Sequence, residues 1–193
     1  MKDRRYANRG VPFETFIKLA NQRYRQKGEA FIEKQYTEFI PLRNGYGRVC
    51  DVKVEHKATV DFIGRYKQYP IAIEAKHTST DTIKLNALQE NQVDDMHEFC
   101  SCPGTIGLVL VSFKMDTFFA IPWAFWGAAY DIRIREDNIK APASVYAFGE
   151  EWTIPTKKSL RIEDMSPLWR VSGRDYGYGL NYLQKAENYV ISL

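Results

Sequence analysis

The stretch ATVDFIGRYKQYPIAIEAKHT, residues 58–78, decides the fold. It contains two apolar runs, 58–64 and 69–75, separated by the polar segment 65–68, and this is the pattern of a β-hairpin. The apolar runs are interrupted by three charged side chains, Asp61, Glu74 and Lys76. Because a charge in a buried strand is costly unless it is paired or binds a metal, we interpret these three residues as a functional site.

The spacing within the second run indicates a kind of chemistry. Glu74 and Lys76 are two residues apart, so on a strand both side chains point to the same face. Two carboxylates that converge from adjacent strands suit Mg²⁺ or Mn²⁺, which prefer oxygen ligands and assist phosphodiester cleavage. A neighbouring lysine can orient or deprotonate the attacking water, or stabilise the phosphate in the transition state. The pattern therefore indicates a metal-dependent nuclease, with solvated strand charges as the alternative.

The composition of the chain limits the classes of protein to consider. Its 193 residues fit one domain with an adequate core, and its 45% hydrophobic and 26% charged residues are ordinary for a globular protein. A net charge of +3 is compatible with nucleic acid without requiring it. No apolar run has the length of a transmembrane helix, and the charged N-terminus lacks the features of a secretory signal. Since three cysteines also favour a reducing compartment, we predict a cytoplasmic protein with no membrane partner.

An amphipathic helix is predicted over residues 11–26, because apolar side chains recur there at helical spacing. Glu14 lies on the flank of the apolar face of this helix. It can reach a neighbouring cluster of charges, or it is an ordinary first-turn glutamate favoured by the helix dipole. The residues alone favour the second interpretation.

A second helix is predicted over residues 85–100, with Gln92 on its apolar side. Such a glutamine can bind a backbone phosphate or a metal-bound water, or it can satisfy a buried backbone group. The nearly continuous apolar run 105–113 is typical of a central buried strand. A terminal helix is expected over residues 181–190.

The first ten residues form a basic arm that includes Arg4, Arg5 and Arg9. A basic terminal arm of this kind is often flexible and often contacts phosphates. The alternative is a solvated tail without a partner.

A second basic segment, 39–55, has turn residues at its centre. Asn44-Gly45 predicts a type I′ hairpin turn. The basic side chains of the segment and of the residues just after it are Arg43, Arg48, Lys53 and Lys57. The segment is therefore either a protruding hairpin that meets a polyanion or a pair of edge strands whose charges prevent aggregation.

Taken in order, these features resemble the RecU family of Holliday junction resolvases, which occur in Gram-positive bacteria and their phages. The matching residues are Asn8-Arg9-Gly10 ahead of Glu14, the run 58–64 with Tyr66-Lys67, Glu74-Ala75-Lys76 with Thr78, Asn91-Gln92 with Met96, and Lys158-Ser159-Leu160-Arg161. The resemblance covers nearly the whole chain and is most specific over residues 59–76, where spacing and flanking residues agree as well as the acidic residues.

The resemblance implies an α/β fold of the restriction-endonuclease-like type, with a mixed central sheet flanked by helices. It implies one nuclease domain over residues 1–193, with a flexible basic arm over 1–10 and a projecting stalk over 39–55. The implied activity is that of a homodimer, dependent on Mg²⁺ or Mn²⁺, that binds four-way DNA junctions and nicks two opposed strands symmetrically. Recombination proteins are its expected further partners.

The resemblance also assigns roles to individual residues. It implies that Asp61, Glu74 and Glu14 are metal ligands. Lys76 would position or activate water, and Gln92 would be an accessory residue of the site. The residues expected to contact DNA are Arg4, Arg5, Arg9, Arg43, Arg48, Lys53 and Lys57.

Two other functions are consistent with the same residues. One is a nuclease with broader substrates such as flaps, forks or single strands, and the other is a junction-binding recombination factor with little catalysis. The pattern of cleavage separates them. Paired symmetric nicks indicate a resolvase, scattered cuts indicate a general nuclease, and no cuts with any divalent metal indicate a binding factor.

Overall fold

The computed structural model describes residues 13–56, 60–138, 140–172, 180–184 and 186–190. The helices are α1 (Phe13–Gln26), α2 (Glu90–Cys100) and α3 (Trp123–Tyr130), the last continued by a π-helical turn, Asp131–Arg135. The strands are β1 (Ala30–Lys34), β2 (Glu38–Arg43), β3 (Val49–His56), β4 (Phe62–Tyr66), β5 (Tyr69–Thr78), β6 (Thr82–Lys84), β7 (Ile106–Phe113), β8 (Thr117–Pro122), β9 (Ala143–Ala147), β10 (Glu150–Ile154) and β11 (Ser159–Arg161).

The centre of the molecule is a five-stranded sheet in the order β1-β4-β5-β7-β8. The β5–β7 pair is parallel and the other three pairs are antiparallel, so the sheet is mixed and β5 is its middle strand. A parallel pair needs a crossover connection, and α2 lies in the segment between β5 and β7. Every side chain of β7 is buried, as predicted for a central strand. The predicted α/β fold class, a mixed central sheet flanked by helices, is confirmed.

Helix α1 packs against β1 and β5 through its apolar face. Its buried side chains include Phe13, Ile17, Ala20 and Tyr24, which recur every three or four residues. Burying side chains of the size of Phe or Ile stabilises a fold by about 1.5–3 kcal/mol each. The predicted helix over 11–26 is therefore present from Phe13 onward, and residues 11 and 12 lie outside the described part of the chain. None of the helices described is long and apolar enough to cross a membrane.

The central hairpin has different bounds from those predicted. We expected strands over 58–64 and 69–75, whereas β4 begins at Phe62 and β5 continues to Thr78. Tyr66 pairs with Tyr69, which leaves a turn of two residues instead of four. Backbone hydrogen bonds extend the ladder without needing apolar side chains, so the apolar runs do not mark the ends of the strands. Residues 57–59 lie outside the described part.

The predicted terminal helix over 181–190 is wrong. A turn and the short 3₁₀ segment Ala186–Tyr189 occupy this region. The segment is fixed by contacts with α1: the Tyr24 hydroxyl donates to the carbonyl oxygen of Leu180 over 3.0 Å, and the Tyr182 hydroxyl donates to Asn21 Oδ1. These tertiary contacts fix the path of the backbone, and Tyr182, Leu183, Ala186 and Tyr189 of this segment are buried.

Strands β2 and β3 form a separate two-stranded sheet. We call residues 39–55 of this hairpin the stalk. All side chains from position 40 to position 53 are exposed. The predicted hairpin is present, but the prediction of a type I′ turn at Asn44-Gly45 is wrong. That turn needs a positive φ at both residues, whereas the positive φ of 76° in this loop belongs to Gly47. The Asn44 side chain closes this longer loop by accepting hydrogen bonds from the amides of Tyr46 and Arg48, at 3.0 and 3.1 Å.

Candidate active site

The β4–β5 hairpin brings Asp61 next to Glu74. Phe62 pairs with Ile73 across the two strands, so the residue before β4 lies opposite the residue after Ile73. Asp61 Oδ2 accepts a hydrogen bond of 2.9 Å from the amide of Ala75. The backbone oxygen of Asp61 accepts a second bond, also 2.9 Å, from the amide of Gln35. Asp61 is therefore held between the end of β1 and the middle strand.

Glu74 is a fully buried acidic residue in the middle of the sheet, with a relative exposure of 0%. Its Oε2 accepts a hydrogen bond of 2.9 Å from Gln92 Nε2 and lies 3.4 Å from Lys76 Nζ. Its Oε1 is also buried, and no donor from the described residues reaches it. An orphaned carboxylate oxygen beside a second carboxylate is unusual in a protein interior, where charges are normally paired or bound to metal.

The surroundings shift the protonation of Glu74. Its pKa is raised from 4.5 to about 8, mainly because burial disfavours the charged form and further because Asp61 is a neighbouring negative charge. Lys76 acts in the opposite direction but does not overcome burial. Without an added positive charge, the carboxyl group therefore holds a proton at neutral pH.

Gln92 connects the acidic pair to Lys76. Its Oε1 accepts hydrogen bonds of 3.1 Å from Lys76 Nζ and from the amide of Gln89, while its Nε2 donates to Glu74. The bond from Gln89 belongs to a capping box at the start of α2. Gln92 thus satisfies a backbone group, one of the two predicted alternatives, and it also fixes the position of Lys76 relative to Glu74.

Glu14 is paired with a lysine of the neighbouring strand. Its carboxylate forms an ion pair with Lys34, the last residue of β1, and Lys34 is the strand partner of Phe62. No group of three or more histidine, cysteine, aspartate or glutamate side chains in the described ranges is arranged to hold a metal ion. The structure therefore brings together Asp61, Glu74, Lys76 and Gln92, and it leaves the role of Glu14 as a third ligand a prediction.

The predicted DNA-contacting residues divide into two groups. Arg43, Arg48 and Lys53 are exposed on the stalk, where Arg43 also donates a 2.8 Å bond to the carbonyl oxygen of Gly47. The remaining four, Arg4, Arg5, Arg9 and Lys57, lie outside the described residues.

The acidic pair has the chemistry of a divalent cation site. Both donors are carboxylates, which are the ligands preferred by Mg²⁺ and Mn²⁺. The buried Oε1 of Glu74 lacks a donor among the described residues, so a cation bound there would satisfy it and oppose the repulsion between Glu74 and Asp61. The residues present therefore fit such an ion.

No pattern in the sequence indicates that Lys34 lies beside Glu14 and Phe62. Its neighbours in β1 alternate as in any edge strand, and its position next to Phe62 depends on the pairing of β1 with β4. The capping role of Gln92 did have a signal, because Gln89 and Gln92 have the spacing of a capping box directly before the helix.

The fold and the site together define a class of protein. A mixed sheet whose middle strand carries Glu74 and Lys76, with Asp61 beside them directly before the adjacent strand, defines an α/β protein with a site suited to a divalent cation.

Comparison with known proteins identifies the family. Residues 8–163 match the family model "RecU: Recombination protein U", so the chain belongs to the RecU family. The Holliday junction resolvase RecU of Staphylococcus saprophyticus is 25% identical over 194 residues, covering 96% of this chain and 83% of the relative.

Shorter matches are found in streptococci. The Holliday junction resolvase RecU of Streptococcus pneumoniae strain Taiwan19F-14 is 26% identical over 66% of this chain and 64% of its own length. That of Streptococcus thermophilus strain LMD-9 is 30% identical over 56% of this chain and 58% of its own length. These alignments thus span less than two thirds of the streptococcal proteins. Among solved structures, Archaeoglobus fulgidus Hjc, a Holliday junction resolvase, matches with a TM-score of 0.33 and 14% identity over 56% of this chain and 73% of its own.

Proposed function

We propose that this protein is a divalent-metal-dependent endonuclease that resolves Holliday junctions, four-way DNA, by paired symmetric nicks. The observation that carries the proposal is the buried Oε1 of Glu74, which has no donor in the described part of the chain and lies in a carboxylate pair with Asp61. Membership of the RecU family supplies the substrate, since the named relatives are Holliday junction resolvases. The expected products carry 5′-phosphate and 3′-hydroxyl ends.

Asp61 and Glu74 would hold the cation, which we propose is Mg²⁺ or Mn²⁺. When bound, such an ion lowers the pKa of water and neutralises charge on phosphate oxygens. Lys76 has a side chain that is 19% exposed, and Gln92 holds its ammonium group 3.1 Å away. From this position Lys76 would orient the attacking water or stabilise the phosphate as negative charge develops on it. Gln92 would act as a positioning residue for both Glu74 and Lys76.

Glu14 pairs with Lys34 through Oε2, and release of that pair would make the whole carboxylate available to the site. The two side chains are 41% and 16% exposed, so the ion pair is open to solvent on one side. A phosphate that approached Lys34 would compete with Glu14 for the ammonium group. We propose that DNA binding frees Glu14 in this way to act as a further acidic ligand.

We propose that the stalk carries DNA to the site. Its first strand begins three residues after Gln35, which bonds to Asp61, and its second strand ends five residues before Asp61. Both legs of the hairpin therefore leave the main sheet beside the acidic pair. We propose that the stalk enters the centre of the junction and that its basic side chains contact the phosphates crowded there. The further proposed phosphate contacts are Arg4, Arg5, Arg9 and Lys57.

Removing two stalk charges is expected to weaken junction binding in a salt-dependent manner. We predict that the double variant Arg48→Ala, Lys53→Ala reduces the slope of log affinity against log salt concentration by about two, because each lost phosphate contact contributes roughly one unit. The affinity should be measured by titration of a labelled junction at several salt concentrations. The control is Lys157→Ala, an exposed lysine outside the stalk. An unchanged slope would exclude the stalk from the DNA interface.

We infer a homodimer, because a four-way junction has two-fold symmetry and paired nicks require two related sites. Recombination proteins are proposed as further partners, in keeping with the family description. With DNA as its substrate, the protein would act in the cytoplasm.

The test uses a mobile four-way junction labelled on each strand in turn and incubated with Mg²⁺ or Mn²⁺. We expect nicks at symmetric positions in two opposed strands. Scattered cuts in the junction and in linear DNA would instead identify a general nuclease. Intact strands with both metals, despite tight binding, would identify a non-catalytic junction-binding factor.

A further inference from the structure

A groove of about 370 Å³ lies between α1 and β1. Lys18 and Asn21 line it from the helix, Tyr36 lines it from the residues after β1, and Ile32 and Phe62 provide apolar surface. Phe62 follows Asp61 in the chain, although none of Asp61, Glu74, Lys76 and Gln92 lines the groove. The roles proposed for the acidic pair and the stalk leave this groove unused.

The wall of the groove combines an exposed aromatic ring with a cation. Tyr36 is 68% exposed, and Lys18 Nζ lies 3.3 Å from its hydroxyl oxygen and 5.5 Å from the centre of its ring. The other two cations that line the groove are paired with carboxylates, Arg25 with Glu33 and Lys34 with Glu14. Lys18 forms no such pair with a described carboxylate, so the groove has excess positive charge next to an aromatic face.

The position of the groove relates it to the DNA strand that is cut. Lys34 pairs with Phe62, and the amide of Gln35 bonds to Asp61. Tyr36 is the next residue, so its backbone is within about 7 Å of Asp61 at roughly 3.3 Å per extended residue. Successive bases of a DNA strand are about 3.4 Å apart along the helix axis. A nucleotide one or two steps from the scissile phosphate would therefore reach the groove.

We infer that this groove binds an unpaired nucleotide of the cleaved strand, next to the scissile phosphate. The base would stack on Tyr36, and a phosphate would contact Lys18. A base beside an open crossover loses a stacking neighbour, which lowers the cost of turning it out of its pair and into the groove. The groove would then contribute to the choice of cleavage sequence. This inference rests on the proposed function, because it names a subsite of the same reaction.

The first test is photocrosslinking. A four-way junction carries 5-iododeoxyuridine at one position at a time on either side of the cut, and it is bound to the Asp61→Asn variant so that it stays intact. We expect one flanking position to form an adduct with Tyr36, identified by mass spectrometry, and the adduct to disappear with Tyr36→Leu. The matched control is Tyr146→Leu, since Tyr146 on β9 is 76% exposed and outside the groove. An adduct pattern without Tyr36 would overturn the proposal.

The second test measures cleavage-site choice. With Asp61 intact, Tyr36→Leu should lower the cutting rate about ten-fold at preferred sites, and less at disfavoured sites, because stacking contributes that much where a base stacks well on the ring. Tyr36→Phe keeps the ring and should retain the preference. Equal site choice in Tyr36→Leu and wild type would overturn the groove proposal while leaving the nuclease intact. If wild type cut no junction with either metal, the proposed function would fail, and the crosslink would still decide whether the groove holds a base.

Discussion

Asp61→Asn and Glu74→Gln are each expected to reduce paired nicking of a four-way junction by at least about 1,000-fold. Each change removes one negative charge from a pair that is proposed to hold the cation. Neither changes the shape of the side chain, and the amide introduced by Asp61→Asn would still offer an oxygen for the 2.9 Å bond from the amide of Ala75. Junction binding should therefore stay within a few-fold of wild type, because the stalk and the arm are untouched.

The measurement is the single-turnover rate of strand cleavage with each strand labelled in turn, together with junction affinity in the same buffer. Glu98→Gln is the matched control, since Glu98 lies exposed on α2 and outside the site. Its cleavage rate should equal that of wild type. Cleavage that survives both carboxylate changes would place the active site elsewhere in the chain, and loss of binding together with cleavage would point to a damaged fold.

The acidic pair could be predicted from sequence because its signal is local. Asp61 and Glu74 interrupt apolar strand patterns, and a hairpin places neighbouring strand positions together whatever the rest of the fold does. The same reasoning could not predict the ends of β4 and β5. Backbone hydrogen bonds between strands continue through polar residues, so the end of an apolar run does not mark the end of a strand. The resemblance to the RecU family then indicated junction DNA as the substrate, which no single residue specifies.

Features that depend on tertiary structure could not be predicted in the same way. The contact of Glu14 with Lys34 requires α1 to pack on β1, and the groove near Tyr36 requires β1 to pair with β4. The C-terminal segment has helical spacing, yet its hydrogen bonds to α1 determine its path. Each of these features depends on contacts between separate elements, and in the C-terminal segment such contacts also overrode the local helical propensity.

The second large effect concerns stability. In the absence of divalent metal, the free energy of unfolding is expected to fall as pH rises from about 5 to about 8. The pKa of Glu74 is about 8 in the folded protein and 4.5 when unperturbed, so between these values the folded state holds a proton that the unfolded state has released. Raising the pH therefore favours unfolding, by roughly 3–5 kcal/mol over the full interval.

Mg²⁺ or Mn²⁺ should reverse this loss near pH 8. A cation displaces the proton and binds only the folded arrangement of Asp61 and Glu74, so it stabilises the folded state by mass action. Urea unfolding from about pH 5 to pH 9, with and without millimolar Mg²⁺, measures both effects. The deciding quantity is the difference in free energy of unfolding between wild type and Glu74→Gln, measured without metal. If this difference is constant or rises with pH through the interval, the assignment of a buried, uncompensated carboxylate is contradicted.

Glu74→Gln distinguishes the effect of Glu74 on the free energy of unfolding from its effect on cleavage. A neutral amide at position 74 removes the buried charge, so the variant should be more stable than wild type at pH 8 without metal and should gain little from Mg²⁺. The same variant should have lost nearly all cleavage. A variant that is inactive because it is misfolded would be less stable at every pH, so opposite changes in stability and activity would show that Glu74 is kept for the cation and not for the fold.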